Sequence, residues 1–404
     1  MTDTITDLES RINLIDGDFW GRNPQDELSW LRANAPVWRD PSSGIWGVST
    51  YPLVKHVSGH PQLFTSTGGI RPDYPATAHM IDMDDPAHAL RRKLVSRGFT
   101  PRRVRDQEMS IRATVTRLID GFCEQGECDL VWDLAAWLPL IVIADALGFD
   151  PEDRPDLLKW SDDMMRMLGK KDPETVQRGA RAVGSYMAHV TRLADERRQQ
   201  PGEDLLSVLV TSEVAGQKLD EHEVLIEALL ILIGGDETTR HVISGGAYQL
   251  LREPARWGSL IAEPDLIPSA VEESLRWVSP VKNMARTTTE DLDLGGQQIP
   301  SGEQVLLLYP SANRDESIFR DPFDFDVRRH PNEHVAFGFG PHFCLGASLA
   351  RLEIRVALEE LVARCPDLAL VDETEPDHRP ANFVSGYEGL KVRFTPSAPK
   401  QPVV

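Results

Sequence analysis

Apolar residues recur at three- and four-residue spacing through most of the chain and alternate with polar ones in only a few short stretches. That pattern predicts a mainly α protein with a smaller β region. A short helix is expected over Gln25–Asn34, ending before Pro36, and residues 44–49 (GIWGVS) read as a strand between turn residues. Residues 66–78 are rich in Gly, Pro, Thr and Ser and read as a long loop, while residues 292–308 read as turn-linked strands. From 110 to 200 the pattern is helical, with breaks at Gly126, Pro151 and Pro173 and at Pro201 just beyond. It carries no chemical motif and reads as scaffold. One segment organises the rest. Asp220-Glu221-His222-Glu223 fits a capping-box start, and helical periodicity then continues to about Arg252, long enough to cross a whole domain. Near its middle lie two adjacent glycines, Gly234 and Gly235, each costing about 1 kcal/mol relative to alanine in a helix. Close helix packing explains one of them. A local distortion of the helix hydrogen bonds, making room for a ligand and water, explains two followed by Glu237 and Thr238.

Composition narrows the picture. The 404 residues are 41% hydrophobic, enough for a large core, and no linker or low-complexity segment divides them. One domain over residues 1–404 is expected. A formal charge of -20 argues against nucleic acids and anionic membranes as partners. Four cysteines do not make a disulfide scaffold, and Cys123 and Cys128, spaced C-x4-C without nearby histidines, read as structural rather than zinc-binding. The first ten residues are polar and acidic, and the most apolar run, 224–233, contains Glu227 and is far too short for a bilayer span. A soluble, cytoplasmic protein is expected.

Candidate chemistry concentrates in Phe337-Gly338-Phe339-Gly340-Pro341-His342-Phe343-Cys344-Leu345-Gly346, directly before an apolar-periodic run over 347–361. The glycines let backbone turn tightly and approach a flat object. A thiolate just before a helix N-terminus is expected to have a lowered pKa. This run, F-G-x-G-x-H-x-C-x-G, resembles the haem-binding loop of the cytochromes P-450. The resemblance implies their fold, with haem b held between the long central helix and the cysteine loop. It makes Cys344 the axial iron ligand, and a thiolate ligand favours O–O cleavage over oxygen storage. Other motifs follow in family order. Gly234 and Gly235 would border the dioxygen pocket, and Glu237 and Thr238 would relay protons to bound dioxygen as acid and alcohol. Asp236, one residue off the acid position, should face elsewhere. His88 and Arg92, four apart on one helix face, would hold a haem propionate, together with Arg286 and His342. Glu273 and Arg276 form an E-x-x-R pair that would join Arg329 in a buried network, with adjacent Arg328 as the other choice.

Gly68-Gly69-Ile70-Arg71-Pro72-Asp73, residues 80–86, Val281-Lys282-Asn283-Met284 and residues 379–386 further resemble the bacterial sterol side-chain hydroxylases. That implies hydroxylation of the terminal methyl (C-26/C-27) of cholesterol or cholest-4-en-3-one, possible onward oxidation to the acid, and a substrate pocket lined by Ile70, Met80, Val281, Asn283, Met284, Phe383 and Val384. The nearest rival is a hydroxylase of methyl-branched fatty acids; from another class, a non-catalytic haem-thiolate sensor or steroid-binding protein. With no flavin or iron–sulfur domain attached, electrons would come from a ferredoxin and its reductase. The basic cluster Arg91, Lys93, Arg97, Arg102, Arg103 and Arg105 reads either as ordinary charge mixing or as the docking face for that acidic partner.

Overall fold

The computed structural model describes residues 8–400 apart from 73, 170, 171 and 215. Helix α1, Gln25–Asn34, leads into strands β1, Val37–Arg39, and β2, Trp46–Val48. Strand β3, Phe64–Thr65, precedes the predicted long loop, and helix α2 spans Ala87–Ser96. The loop is organised by two carboxylates. Asp84 accepts from the Ser66 N–H at 2.9 Å, and Asp82 accepts from Ile70 N at 3.0 Å and Thr77 N at 2.7 Å, satisfying backbone that no ladder serves.

The helical scaffold includes α3, Trp137–Leu147, α4, Arg154–Gly169, and α5, Pro173–Gln199. Helix α6, Glu221–Leu251, begins at the predicted capping box: Asp220 Oδ1 accepts from Glu223 N at 2.8 Å and Glu223 Oε2 from Asp220 N at 2.9 Å. It is buried along most of its length, so its stability comes from packing on all sides. Helices α7, Ile267–Val278, and α8, Ala347–Arg364, both pack against it. Between them lie strands β4, Asn283–Thr288, and β5, Gln304–Leu308. The predicted strands over 292–308 separate into a hairpin, Leu292–Leu294 with Gln297–Ile299, and β5. Gly295 and Gly296 turn that hairpin at φ 61° and 84°.

The main sheet has the order β1-β2-β5-β4-β3, with β2 and β5 parallel and the other pairs antiparallel. A second sheet joins Ala369–Leu370, Lys391–Arg393 and Glu127–Asp129. Among the described residues no helix is long and apolar enough to cross a membrane.

Helix α6 is unbroken through Gly234 and Gly235, so the expected distortion of its hydrogen bonds is absent. The two glycines answer to different neighbours. A Cβ at Gly235 would lie 2.8 Å from Cγ1 of Ile143 on α3, whereas one at Gly234 would meet nothing within 4 Å. Gly235 allows two helices to approach, Gly234 borders empty space, and both line that space as expected.

Candidate functional site

That space is a cavity of ≈ 220 Å³, walled by α6 on one side and by residues 336–346 and the start of α8 on the other. Gly338 and Gly340 bend the loop at φ 71° and 75°, a region costly for side-chain-bearing residues. A Cβ at Gly340 would also strike the Ser58 carbonyl oxygen at 2.5 Å. The Cys344 N–H donates to Phe337 O at 2.9 Å, which holds the thiol against the cavity. Burial pushes that thiol above its usual range, against the Gly346 N–H and the charges of Arg92 and Arg351. The lowered pKa expected from the helix end is therefore overruled by desolvation.

Two arginines and two histidines gather around the same cavity. His88, Arg92, Arg286 and His342 all line it. The His88 and His342 rings lie 4.1 Å apart, and Ser66 Oγ is 3.1 Å from His342 Nε2. Burial, then Arg286, His88 and Arg92, push His342 down to about 3. Arg92 Nη2 donates to Phe343 O at 2.6 Å, and Arg286 Nη1 to Ala285 O at 2.8 Å. Arg286 is buried, has no carboxylate partner among the described residues, and is lowered chiefly by that burial. Glu353, the one acid among the described residues lining the cavity, is raised well above the carboxylate range by burial and then by Asp236. The site thus joins a mostly apolar slot, a thiol and a cationic rim that lacks an anion. Haem fits this donor set: its ring would fill the slot, Cys344 would ligate iron, and His88, Arg92, Arg286 and His342 would meet its propionates.

On α6, Thr238 lines the cavity and its hydroxyl donates to Gly234 O at 2.9 Å. The lone pairs of that oxygen remain available to accept. Glu237 does not line the cavity. Its fully buried carboxylate takes Arg379 Nη1 at 3.0 Å and Arg240 Nη1 at 3.3 Å, with His241 Nε2 at 3.7 Å. An acid–alcohol relay in this geometry requires Glu237 to leave Arg379. Asp236 faces elsewhere as expected, accepting from Ser161 Oγ at 2.6 Å. Asp162, on the motif-free stretch of α4, completes this network by binding Arg166, Arg240 and Arg379. Only Arg166, four residues on, marks it locally in the sequence; Arg240 and Arg379 lie on two distant segments.

Glu273 and Arg276 form a bidentate pair at 2.7 and 2.8 Å. Arg329 Nε reaches Glu273 at 3.1 Å, whereas Arg328 pairs with Glu263 on the surface, which settles the choice between the two arginines.

Of the expected pocket residues, Met80, Val281 and Met284 line the cavity. Ile70, Asn283, Phe383 and Val384 do not. Ile70 is held by backbone bonds to Asp82 and Ala285, and the Asn283 amide donates to Asn382 O at 2.7 Å, as strand alternation turns it away from Met284. Phe383 O accepts from Lys282 N at 2.7 Å and Val384 pairs with Val281, so both form a layer behind the wall. The sequence reading missed Leu230 and Val242, which line the cavity from α6. Their spacing with Gly234 and Thr238, four residues at each step, was the available signal. Arg91 leaves the basic cluster: it is buried and binds Glu227 at 3.2 Å, along with Glu223. Lys93, Arg102, Arg103 and Arg105 are exposed; the Arg97 side chain and Asp73 lie outside the described residues.

Residues 151–394 match the family model for cytochrome P-450. The chain is 51% identical to the steroid C26-monooxygenase of Mycolicibacterium smegmatis over 96% of this chain and 97% of the relative. The chain belongs to the cytochrome P-450 family. It is also 37% identical to the methyl-branched lipid omega-hydroxylase of Mycobacterium bovis, over 94% of this chain and 93% of that one. A Bacillus megaterium cytochrome P-450 in complex with testosterone superposes with a TM-score of 0.85 at 35% identity, covering 92% of this chain and 98% of the other. This cytochrome P-450 is accordingly a monooxygenase with the P-450 fold, haem b as cofactor and dioxygen as co-substrate.

Proposed function

We propose that this cytochrome P-450, acting as one domain, hydroxylates the terminal methyl of the side chain of cholesterol or cholest-4-en-3-one. The observation that carries this is the 51% identity to steroid C26-monooxygenases across nearly the whole chain. The apolar cavity wall formed by Met80, Val281, Met284 and Leu230 supports it, because positioning has to override the strength of a methyl C–H bond. Bound haem supplies dioxygen activation. Cys344 would ligate its iron, His88, Arg92, Arg286 and His342 would hold its propionates, and Gly234 leaves space beside Thr238. Thr238 Oγ holds a water or a protonated oxygen at its free lone pairs, and Glu237, once released from Arg379, passes protons to it. Glu273, Arg276 and Arg329 keep the chain leading to the cysteine loop in register.

Electrons come from a ferredoxin and its reductase, docking near Lys93 and Arg102, whose exposed charge opposes the sign of the protein. A cytoplasmic setting accords with four free cysteines, three of them buried. The methyl-branched lipid hydroxylase relative favours a second reading, a branched fatty acid in the same cavity.

The deciding experiment is a Soret titration of the ferric holoprotein with cholest-4-en-3-one and, in parallel, a branched fatty acid. A low- to high-spin shift at low sterol concentration is expected. A shift with the fatty acid alone discards the sterol and keeps the chemistry. Absence of NADH-dependent product with both redox partners supplied would favour a sensor or binding protein.

A further inference from the structure

Eight lysines and arginines are buried among the described residues: Arg32, Arg91, Arg240, Arg276, Lys282, Arg286, Arg314 and Arg379. Five of them pair with a carboxylate: Arg32 with Glu316, Arg91 with Glu227, Arg240 and Arg379 with Glu237, and Arg276 with Glu273. A buried cation is ordinarily paired, because burying charge without a counter-charge is costly. Three have no such partner. Arg286 faces the haem cavity, where propionates would supply the missing charge. Lys282 and Arg314 face a different cavity of ≈ 80 Å³, farther along α6.

This second cavity is polar. Lys282 Nζ reaches only the carbonyls of Ser279 and Val278, at 3.2 and 3.3 Å. Arg314 spends Nη2 on Trp277 O at 2.9 Å, while its buried Nε and Nη1 have no hydrogen-bond partner. His241, also lining the cavity, is fully buried with both ring nitrogens lacking one. Arg252 is exposed at the mouth. The one acid among the lining residues, Glu375, is already engaged by His378 and Tyr387. Volume is sufficient for several waters, or for one tetrahedral oxyanion.

We propose that this cavity binds a compact oxyanion of phosphate or sulfate size, held by Lys282 and Arg314 with Arg252 at the entrance. Such an ion would accept from the open Arg314 N–H groups, neutralise the two cations, and take a hydrogen bond from His241. The local electrostatics accord with it. Lys282 is pushed down to about 7, by burial and then by Arg314, and Arg314 to about 9, by burial and then by Arg276 and Arg32. Burial sets the larger part of both shifts, and neighbouring arginines add to it, with Glu273 opposing them at Arg314. The site is separate from the haem cavity but shares a wall with it, since Val281 and Met284 face one side and Lys282 the other.

The test uses holoprotein exchanged into an oxyanion-free buffer. Inorganic phosphate is titrated by calorimetry and by thermal melting, with sulfate as a second probe and chloride at equal ionic strength as control. One saturable site per chain is expected, with Tm rising for phosphate or sulfate but not chloride. Lys282→Met should weaken phosphate about tenfold or more, the loss of one charge-assisted hydrogen bond. In oxyanion-free buffer it should melt no lower than wild type, because it removes an uncompensated cation. Arg252→Ser, an exposed change that leaves the core intact, should weaken phosphate by a smaller factor. Retention of the reduced carbonyl Soret band confirms that each variant is folded around haem. Equal responses to phosphate and chloride, no saturable binding, or wild-type affinity in both variants would overturn the proposal.

Discussion

The Thr238 hydroxyl commits its hydrogen to the Gly234 carbonyl, so it meets the cavity as an acceptor. Removing it leaves the helix backbone bonded and empties one position in the cavity wall. Thr238→Ala should therefore keep the Soret spectrum while lowering product per NADH and raising peroxide per NADH. Coupling equal to wild type would remove Thr238 from proton handling. Also at this scale, Cys344 shows how far a local argument reaches. The loop pattern marked its place, but the direction of its pKa was set by burial, which no neighbour in sequence reveals.

Along α6 the two glycines separate by experiment. Gly235→Ala drives a methyl against Ile143 and should destabilise by about 1–3 kcal/mol, as overpacking does, measured by denaturant unfolding. Gly234→Ala meets no atom and should gain up to about 1 kcal/mol of helix propensity while narrowing the cavity, read as weaker sterol binding. Glu227 ties the same helix to the segment that carries Met80 into the cavity wall, accepting from Met80 N at 2.7 Å and from Arg91 at 3.2 Å. Burial raises it to about 7 in spite of Arg91. A folded-state pKa above the unfolded value of 4.5 means the native protein binds more protons between those limits. This contribution to stability is complete below pH 4.5 and is lost as pH rises to 7, by up to about 3 kcal/mol. Relative to Glu227→Gln, wild type should be favoured more at pH 5 than at pH 7.5 in urea unfolding; parallel curves would reject the shift.

For the whole molecule, charge distribution is the readable quantity. The chain carries -20 overall, yet Lys93, Arg102, Arg103 and Arg105 stand exposed together. If that face receives an acidic electron donor, Arg102→Glu should slow reduction by ferredoxin several-fold at low salt. The difference should shrink as ionic strength rises and the Debye length falls below about 10 Å. A salt-independent effect, or none, would move docking elsewhere. Arg91 takes no part, because Glu223 and Glu227 hold it inside.

What the sequence determined by itself was whatever short-range pattern encodes. The capping box and length of α6, the glycine bends of the cysteine loop, the helix over Gln25–Asn34 and the E-x-x-R pair are all set by residues a few positions apart. Tertiary structure alone decided which of two adjacent side chains faces a cavity. It turned Glu237 into a network with Asp162, Arg240 and Arg379, Asn283 toward Asn382, and Arg91 toward Glu227. It also left Lys282 and Arg314 buried without a counter-charge. The reason is physical: pairing of buried charge is a long-range condition, satisfied by groups up to hundreds of residues apart, and it appears only once the chain has closed around them.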